Sequence, residues 1–215
     1  MKRNAFALRI KKAKENEFRR RLGECWEGIV SFLDDAKLSN FSLWTAEDLA
    51  FGYCESPDDE GPADEVKARM KELTGAFDDL VDWISRPGEG MRLMYHNFGI
   101  VRENKELIRH RMFMTKLKPG CEEEYKRRHD RLVEQRGDNI DPGPDSNFSI
   151  WSAGGYIFGY NEIDTTMETV ETEEEHQGTI AWETRQLEIM DWITNDCDWL
   201  THEIHAASRR IAWHR

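Results

Sequence analysis

His129 closes the stretch Glu122-Glu123-Glu124-Tyr125-Lys126-Arg127-Arg128-His129, and Tyr125 stands four residues before it. On a helix, residues four apart share one face. Histidine titrates near neutrality and can both accept and return a proton. A tyrosine one turn earlier can hydrogen-bond either a substrate or the imidazole. The pair points to acid–base chemistry. An earlier stretch, Glu15-Asn16-Glu17-Phe18-Arg19-Arg20-Arg21-Leu22, has the same pattern but carries Phe18 and Leu22 in place of the tyrosine and histidine. The plainer reading of His129 is a core histidine bonded to a backbone carbonyl.

The likeness of these two stretches belongs to a longer internal repeat, a signal to be sought before any fold is assigned. An offset of 107 residues pairs Phe6 with Phe113, Glu17 with Glu124 and Arg20 with Arg127. The same offset pairs Asn40-Phe41-Ser42-Leu43-Trp44 with Asn147-Phe148-Ser149-Ile150-Trp151, and Phe51-Gly52-Tyr53 with Phe158-Gly159-Tyr160. At an offset of 109, Asp82-Trp83-Ile84 meets Asp191-Trp192-Ile193. Near the end Tyr95-His96 resembles Trp213-His214.

The elements that must position His129 follow from the periodicities. Strands are expected over Ala5–Ile10 and Met112–Leu117. In the helix after the first, Phe18, Leu22, Cys25, Trp26, Ile29 and Leu33 recur at three- and four-residue steps, one buried stripe. Tyr125, His129 and Leu132 continue that stripe in the second copy, so His129 faces the core. Asn147–Trp151 and Tyr156–Tyr160 flank Ser152-Ala153-Gly154-Gly155, a hairpin with glycines for positive φ. Second helices are expected over Asp64–Ile84 and about Glu174–Ile193, and last strands over Met91–Phe98 and Arg209–Trp213. The acidic run Glu171–Glu175 suits a solvated helix start.

The order β-α-β-β-α-β is the ferredoxin-like unit. The expected fold class is α+β: two tandem ferredoxin-like repeats packed sheet to sheet as an intramolecular α+β barrel. The expected domains are residues 1–101, inactive, and residues 109–215, carrying the active site. A monomer holding a pseudo-dimer follows.

Composition sets the outer limits. The chain has 215 residues, 39% hydrophobic and 33% charged, with a net charge of −12. Nucleic acid and anionic membranes are poor default partners for such a charge. Arg19–Arg21 and Arg127-Arg128 form local basic clusters, more simply read as solvated helix faces. Cys25, Cys54, Cys121 and Cys197 form no CxxC pair, which favours a reducing, cytoplasmic setting over a disulfide framework or a zinc site. No apolar run approaches the ~20 residues of a membrane span, and the first residues lack a signal-peptide core.

The opening strand, the Glu-Glu-Tyr-x-Arg-Arg-His helix and the Asn-aromatic-x-x-aromatic strand resemble the L-rhamnose mutarotases, small sugar anomerases of the dimeric α+β barrel fold. The resemblance implies an isomerase with a small-molecule substrate and no cofactor or metal. It implies that His129 is the acid–base residue and that Tyr125 lines the sugar pocket with it. Phe148 takes the place of a strand aromatic that is usually tyrosine, and Trp182 that of the second-helix tryptophan; Asn147 and Trp151 flank Phe148 as further substrate contacts. In the first repeat the matching positions hold Leu22, Phe18, Phe41 and Leu73. Trp26 keeps the family's tryptophan after the helix motif, where the second repeat has Val133.

Two other readings stand beside this one. Another cofactor-free isomerase, lyase or cyclase could use the same scaffold on a non-sugar metabolite, since a fold hosts many chemistries. A non-catalytic binding module would need His129 only for packing. Weaker candidates are His202 and His205, three apart on an expected helix end, and His96 and His214, expected at matching places in the last strands. The sequence has no phosphate loop, dinucleotide fingerprint or nucleophile elbow.

Overall fold

The computed structural model describes residues 1–57, 64–194 and 205–215. In chain order the elements are β1 (Lys2–Ile10), α1 (Glu15–Asp35), β2 (Ser39–Ala46), β3 (Leu49–Ser56), α2 (Asp64–Gly75), β4 (Val81–Ser85), β5 (Arg92–Asn97), β6 (Ile108–Leu117), α3 (Glu122–Arg136), β7 (Asp145–Ala153), β8 (Tyr156–Asp164), α4 (Glu173–Gln186), β9 (Met190–Trp192) and β10 (Arg209–His214). They form a mixed α+β fold with two antiparallel five-stranded sheets, ordered β10-β2-β3-β1-β4 and β5-β7-β8-β6-β9. None of the described helices is long and apolar enough to cross a membrane.

Within each sheet four strands follow the ferredoxin-like order. The fourth strand of that order is β4 or β9, not the strand expected from the sequence. The expected helices Asp64–Ile84 and Glu174–Ile193 are too long: α2 stops at Gly75, α4 stops at Gln186, and the chain returns as an edge strand beside β1 or β6. The mistake has a physical source. Phe77, Leu80, Val81 and Ile84 stand at helical spacing, but Phe77 and Leu80 belong to a tight turn. Its carbonyl at Leu80 accepts from Lys11, which seats Val81 against β1.

The strands expected to close each repeat are exchanged. β5 pairs with β7 of the following segment, and β10 pairs with β2 of the preceding one. The compact units are therefore Met1–Met91 with Ser208–Arg215, and Arg92–Ala207. They differ from the sequence repeats 1–101 and 109–215 by that swap. Both exchanged strands carry a register shift, and the shift corrects the sequence match. Tyr95 lies opposite Ile150, and Ala212 opposite Leu43. Tyr95 thus corresponds to Ala212 and His96 to Trp213, so His96 and His214 do not occupy matching places.

The first unit buries Leu8, Phe18, Leu22, Phe32, Leu33, Phe41 and Phe77 in one cluster, with Cys25, Trp26 and Ile29 packed against it. The expected α1 stripe is thus the stripe that meets the sheet. In the second unit Phe113, Leu117, Tyr125, Ile150, Ile157, Ile189 and Trp192 do the same. One close approach recurs. Phe6 pairs across the ladder with Gly52, and Phe113 with Gly159. A Cβ on either glycine would fall 2.0 Å from the facing ring. The phenylalanine ring lies over the strand at a place only glycine leaves open. The β7–β8 hairpin turns through Gly154 and Gly155, both at positive φ, as a two-residue loop requires.

Charge is laid along the helices in pairs. Arg20 meets Glu24, Arg21 meets Glu17 and Asp79, Arg127 meets Glu124, and Arg128 meets Glu124 and Glu188. The arginine clusters of the two motifs are thus largely neutralised at the surface. Thr172 caps α4 through a reciprocal pair with Glu175, which explains part of the acidic run.

Candidate active site

α3 carries Tyr125 and His129 on the face turned to the sheet, and both are buried. The spacing of four stacks their rings, with centroids 4.2 Å apart and planes 25° apart. Trp182 of α4 meets the imidazole edge-on at 5.4 Å. Tyr95 of β5 meets it from a third side at 5.5 Å, and Phe148 packs on Tyr95 at 5.4 Å. His129 is thus framed by three aromatic rings from three elements, with Phe148 one ring further out.

The imidazole is oriented by its own helix. Nδ1 lies 2.9 Å from the carbonyl oxygen of Tyr125. A carbonyl only accepts, so Nδ1 carries the proton and Nε2 carries the lone pair. Nε2 has no hydrogen-bond partner among the described residues. Burial pulls the His129 pKa down to about 4, against the smaller upward effect of the hydrogen bond to the Tyr125 carbonyl. At neutral pH the ring is a neutral base. The bond to a backbone carbonyl matches the plain core reading of this histidine, but it uses one nitrogen and leaves the other for chemistry.

Burial pushes the Tyr125 hydroxyl far above its ordinary range, and the charge of Glu183 adds to that. Tyr125 therefore remains a hydrogen-bond donor at any ordinary pH. Burial also raises Tyr95, partly offset by the Arg136 guanidinium beside it. Arg136 in turn donates to the His96 carbonyl at 2.8 Å, which ties α3 to β5.

Four expected site residues are brought together: His129, Tyr125, Trp182 and Phe148. The other two lie elsewhere. Ile150 and Ile157 face the helices, so Trp151 and Phe158 face the opposite side of the sheet. Trp151 donates through Nε1 to Ser149 on that side at 3.1 Å. Asn147, wholly buried at a positive φ of 54°, donates to the Glu162 carboxylate at 3.2 Å. Tyr160 donates to the same oxygen at 3.0 Å, and Lys105 pairs with the other at 2.5 Å. The first unit has a related arrangement, in which Asn40 and Tyr53 donate to Glu55 at 2.9 and 3.0 Å. Both asparagines sit at a register shift of the second strand of their repeat. A bonded network held in both units is a scaffold feature; it engages Asn147, while Trp151 is kept from His129 by facing the other side of the sheet.

Sequence reasoning missed Tyr95 and Glu183. Tyr95 was hidden because its strand is exchanged and its match displaced by one residue. Glu183 directly follows Trp182 within an acidic helix, where one carboxylate more carries no signal. His202 lies outside the described residues, and so do Glu203 and Ile204. Among the described residues no group of three or more His, Cys, Asp and Glu side chains is placed to hold a metal.

Comparison with known proteins bears on the whole arrangement. The family model described as L-rhamnose mutarotase matches residues 3–89 and again residues 110–209. No curated protein matches the chain. A solved structure from Fusobacterium nucleatum subsp. nucleatum, named provisionally as a monooxygenase, is similar over 99% of this chain and 93% of its own, at 10% identity and a TM-score of 0.48. That likeness is too slight to carry an argument. The two matched segments span most of the sequence, and each contains one copy of the helix motif: the chain belongs to the L-rhamnose mutarotase family.

Proposed function

We propose that the second unit is a sugar mutarotase site that works without a cofactor, with His129 as the acid–base residue. The observation that carries this is the imidazole itself: buried, neutral, held at Nδ1 by the Tyr125 carbonyl, with Nε2 left to a ligand. The family supplies the substrate class, a monosaccharide such as L-rhamnose.

Mutarotation needs two proton movements. Nε2 takes the proton of the anomeric hydroxyl as the bond from the anomeric carbon to the ring oxygen breaks. The imidazolium returns that proton to the ring oxygen, giving the open-chain aldehyde. Rotation about the adjoining carbon–carbon bond and the reverse steps close the other anomer. Atoms and charge balance with one histidine. Burial makes the imidazolium short-lived, which favours prompt return of the proton. Tyr125 donates a hydrogen bond to the sugar, and Trp182 offers a flat apolar face for its C–H groups.

The chain is read as a monomer descended from a duplication, with the first repeat relieved of catalysis. A reducing, cytoplasmic setting is supported by the free thiols of Cys25, Cys54 and Cys121. The test is saturation transfer by NMR between the α and β anomers of L-rhamnose, with L-fucose beside it. The reading expects exchange well above the spontaneous rate at a chain mass of one in sedimentation. Spontaneous exchange alone, with every monosaccharide tried, would sink it.

A further inference from the structure

Gln186 ends α4, one turn after Trp182, and residues so spaced share a face. It is 2% exposed, and neither its amide nitrogen nor its amide oxygen has a partner among the described residues. Thr115 of β6 is wholly buried, and its hydroxyl also lacks a partner among them. Native proteins satisfy nearly all buried polar groups, so two such groups on one side of a sheet call for an explanation.

The first unit locates them. Offsets of 107 and 109 match Thr115 with Leu8 and Gln186 with Phe77. They also match Tyr125 with Phe18 and His129 with Leu22. Leu8, Phe18, Leu22 and Phe77 belong to one apolar cluster, and the rings of Phe18 and Phe77 stand 5.6 Å apart. The four positions share one core in the first unit, and in the second they carry Thr115, Tyr125, His129 and Gln186. All four are apolar in the first unit and hydrogen-bonding in the second, and the two not tied to a backbone or aromatic neighbour are Thr115 and Gln186.

We infer that Gln186, supported by Thr115, is a specificity-determining residue that binds hydroxyl groups of the sugar beside His129. This rests on the mutarotase reading of the same site. The chemistry fits a polyol. An amide presents a donor and an acceptor side by side, and a pair of neighbouring sugar hydroxyls presents their complement. Both residues act on hydroxyls away from the anomeric centre, so they set which sugar is held and not how the proton moves.

The experiment uses the full chain and three variants, Gln186→Met, Thr115→Val and the double variant. Anomer exchange is followed for L-rhamnose and for its single-deoxy analogues. The inference expects KM to rise about tenfold or more in Gln186→Met, since a site built around a hydroxyl discriminates strongly against its loss. One deoxy analogue should lose affinity for the unaltered protein and lose nothing further in Gln186→Met, which is the sign of a direct pair. Without sugar, both single variants should melt at or above the temperature of the unaltered protein, because they remove unsatisfied groups. An unchanged KM with every analogue overturns the inference and leaves the mutarotase reading intact. A lower melting temperature in both variants also overturns it, since the groups would then be serving the fold. No exchange by the unaltered protein removes the reading and the inference together.

Discussion

The same place under the helices is built twice in this molecule, with opposite chemistry. In the first unit Leu22 lies beside Phe18 in an apolar cluster, and a cleft of about 380 Å³ beside it is lined by Arg19, Leu22, Gly23, Trp26, Ile211, Ala212 and Trp213. In the second unit His129 stands where Leu22 does, and Tyr95 stands where Ala212 does, so a tyrosine ring closes on the imidazole at 5.5 Å. The frame around both is alike: the same strand order, the same exchanged fifth strand, the same phenylalanine laid over a glycine. The comparison teaches that the scaffold tolerates either filling. Leucine and phenylalanine fill a core there; histidine and tyrosine, with a tryptophan beside them, bring polar groups to the same place.

The largest expected difference between the units is catalytic. Giving the second unit the residue of the first, by His129→Leu, should lower catalysed anomer exchange about 10²- to 10⁴-fold, the usual worth of a positioned acid–base group. Exchange kinetics at fixed sugar concentration read it. An intact rate would break the comparison at its centre.

The next difference is in stability against pH. The folded pKa of His129 is about 4, against the ordinary 6.5 of an unfolded chain. Between those values the unfolded chain binds more protons than the folded one, so stability falls as pH falls from about 6.5 toward 4. The full effect is roughly 3 kcal/mol by linkage. Above that window both states are neutral at this group and it contributes nothing. Chemical denaturation of the intact protein and His129→Leu at pH 7 and pH 4.5 should show a smaller acid loss in the variant. Parallel curves would mean that His129 is solvated enough to charge in place.

Other changes should treat the units alike. Gly52→Ala and Gly159→Ala each place a methyl 2.0 Å from a phenylalanine ring. Each should cost about 1–3 kcal/mol, the range for overfilling a packed core. A large loss in one and none in the other would show that the two frames are not equivalent. The smallest effect sharpens rather than breaks the picture. Thr172→Ala removes the cap of α4 and should cost about 1 kcal/mol. Since α4 carries Trp182, sugar affinity should weaken with it.

Much of this arrangement was legible in the residues. The repeat, the α1 and α3 stripes, the glycine hairpin and the placing of His129 toward the core all follow from spacing and side-chain type. Spacing also sets Tyr125 beside it, whereas the grouping of Trp182 and Phe148 with it is what the family resemblance implies. What was not legible was set by contacts distant in sequence. Phe77, Leu80, Val81 and Ile84 have helical spacing and fold as a turn and an edge strand, because Val81 finds a ladder on β1. Tyr95 and Ala212 could be matched only through the register shifts of two exchanged strands. Asn147 and Trp151 lie one residue out of step with Phe148 and Ile150, and that single step puts them on the other face of the sheet. The buried carboxylates Glu55 and Glu162 likewise depend on Asn40 and Asn147, donors from the neighbouring strand.

The central claim is that His129 of the second unit, and nothing at the matching place in the first, moves the proton. Saturation transfer between the anomers of L-rhamnose should be measured for the intact protein, for His129→Leu and for Leu22→Ala. The account predicts exchange that survives Leu22→Ala and vanishes in His129→Leu. Exchange that survives His129→Leu would contradict it.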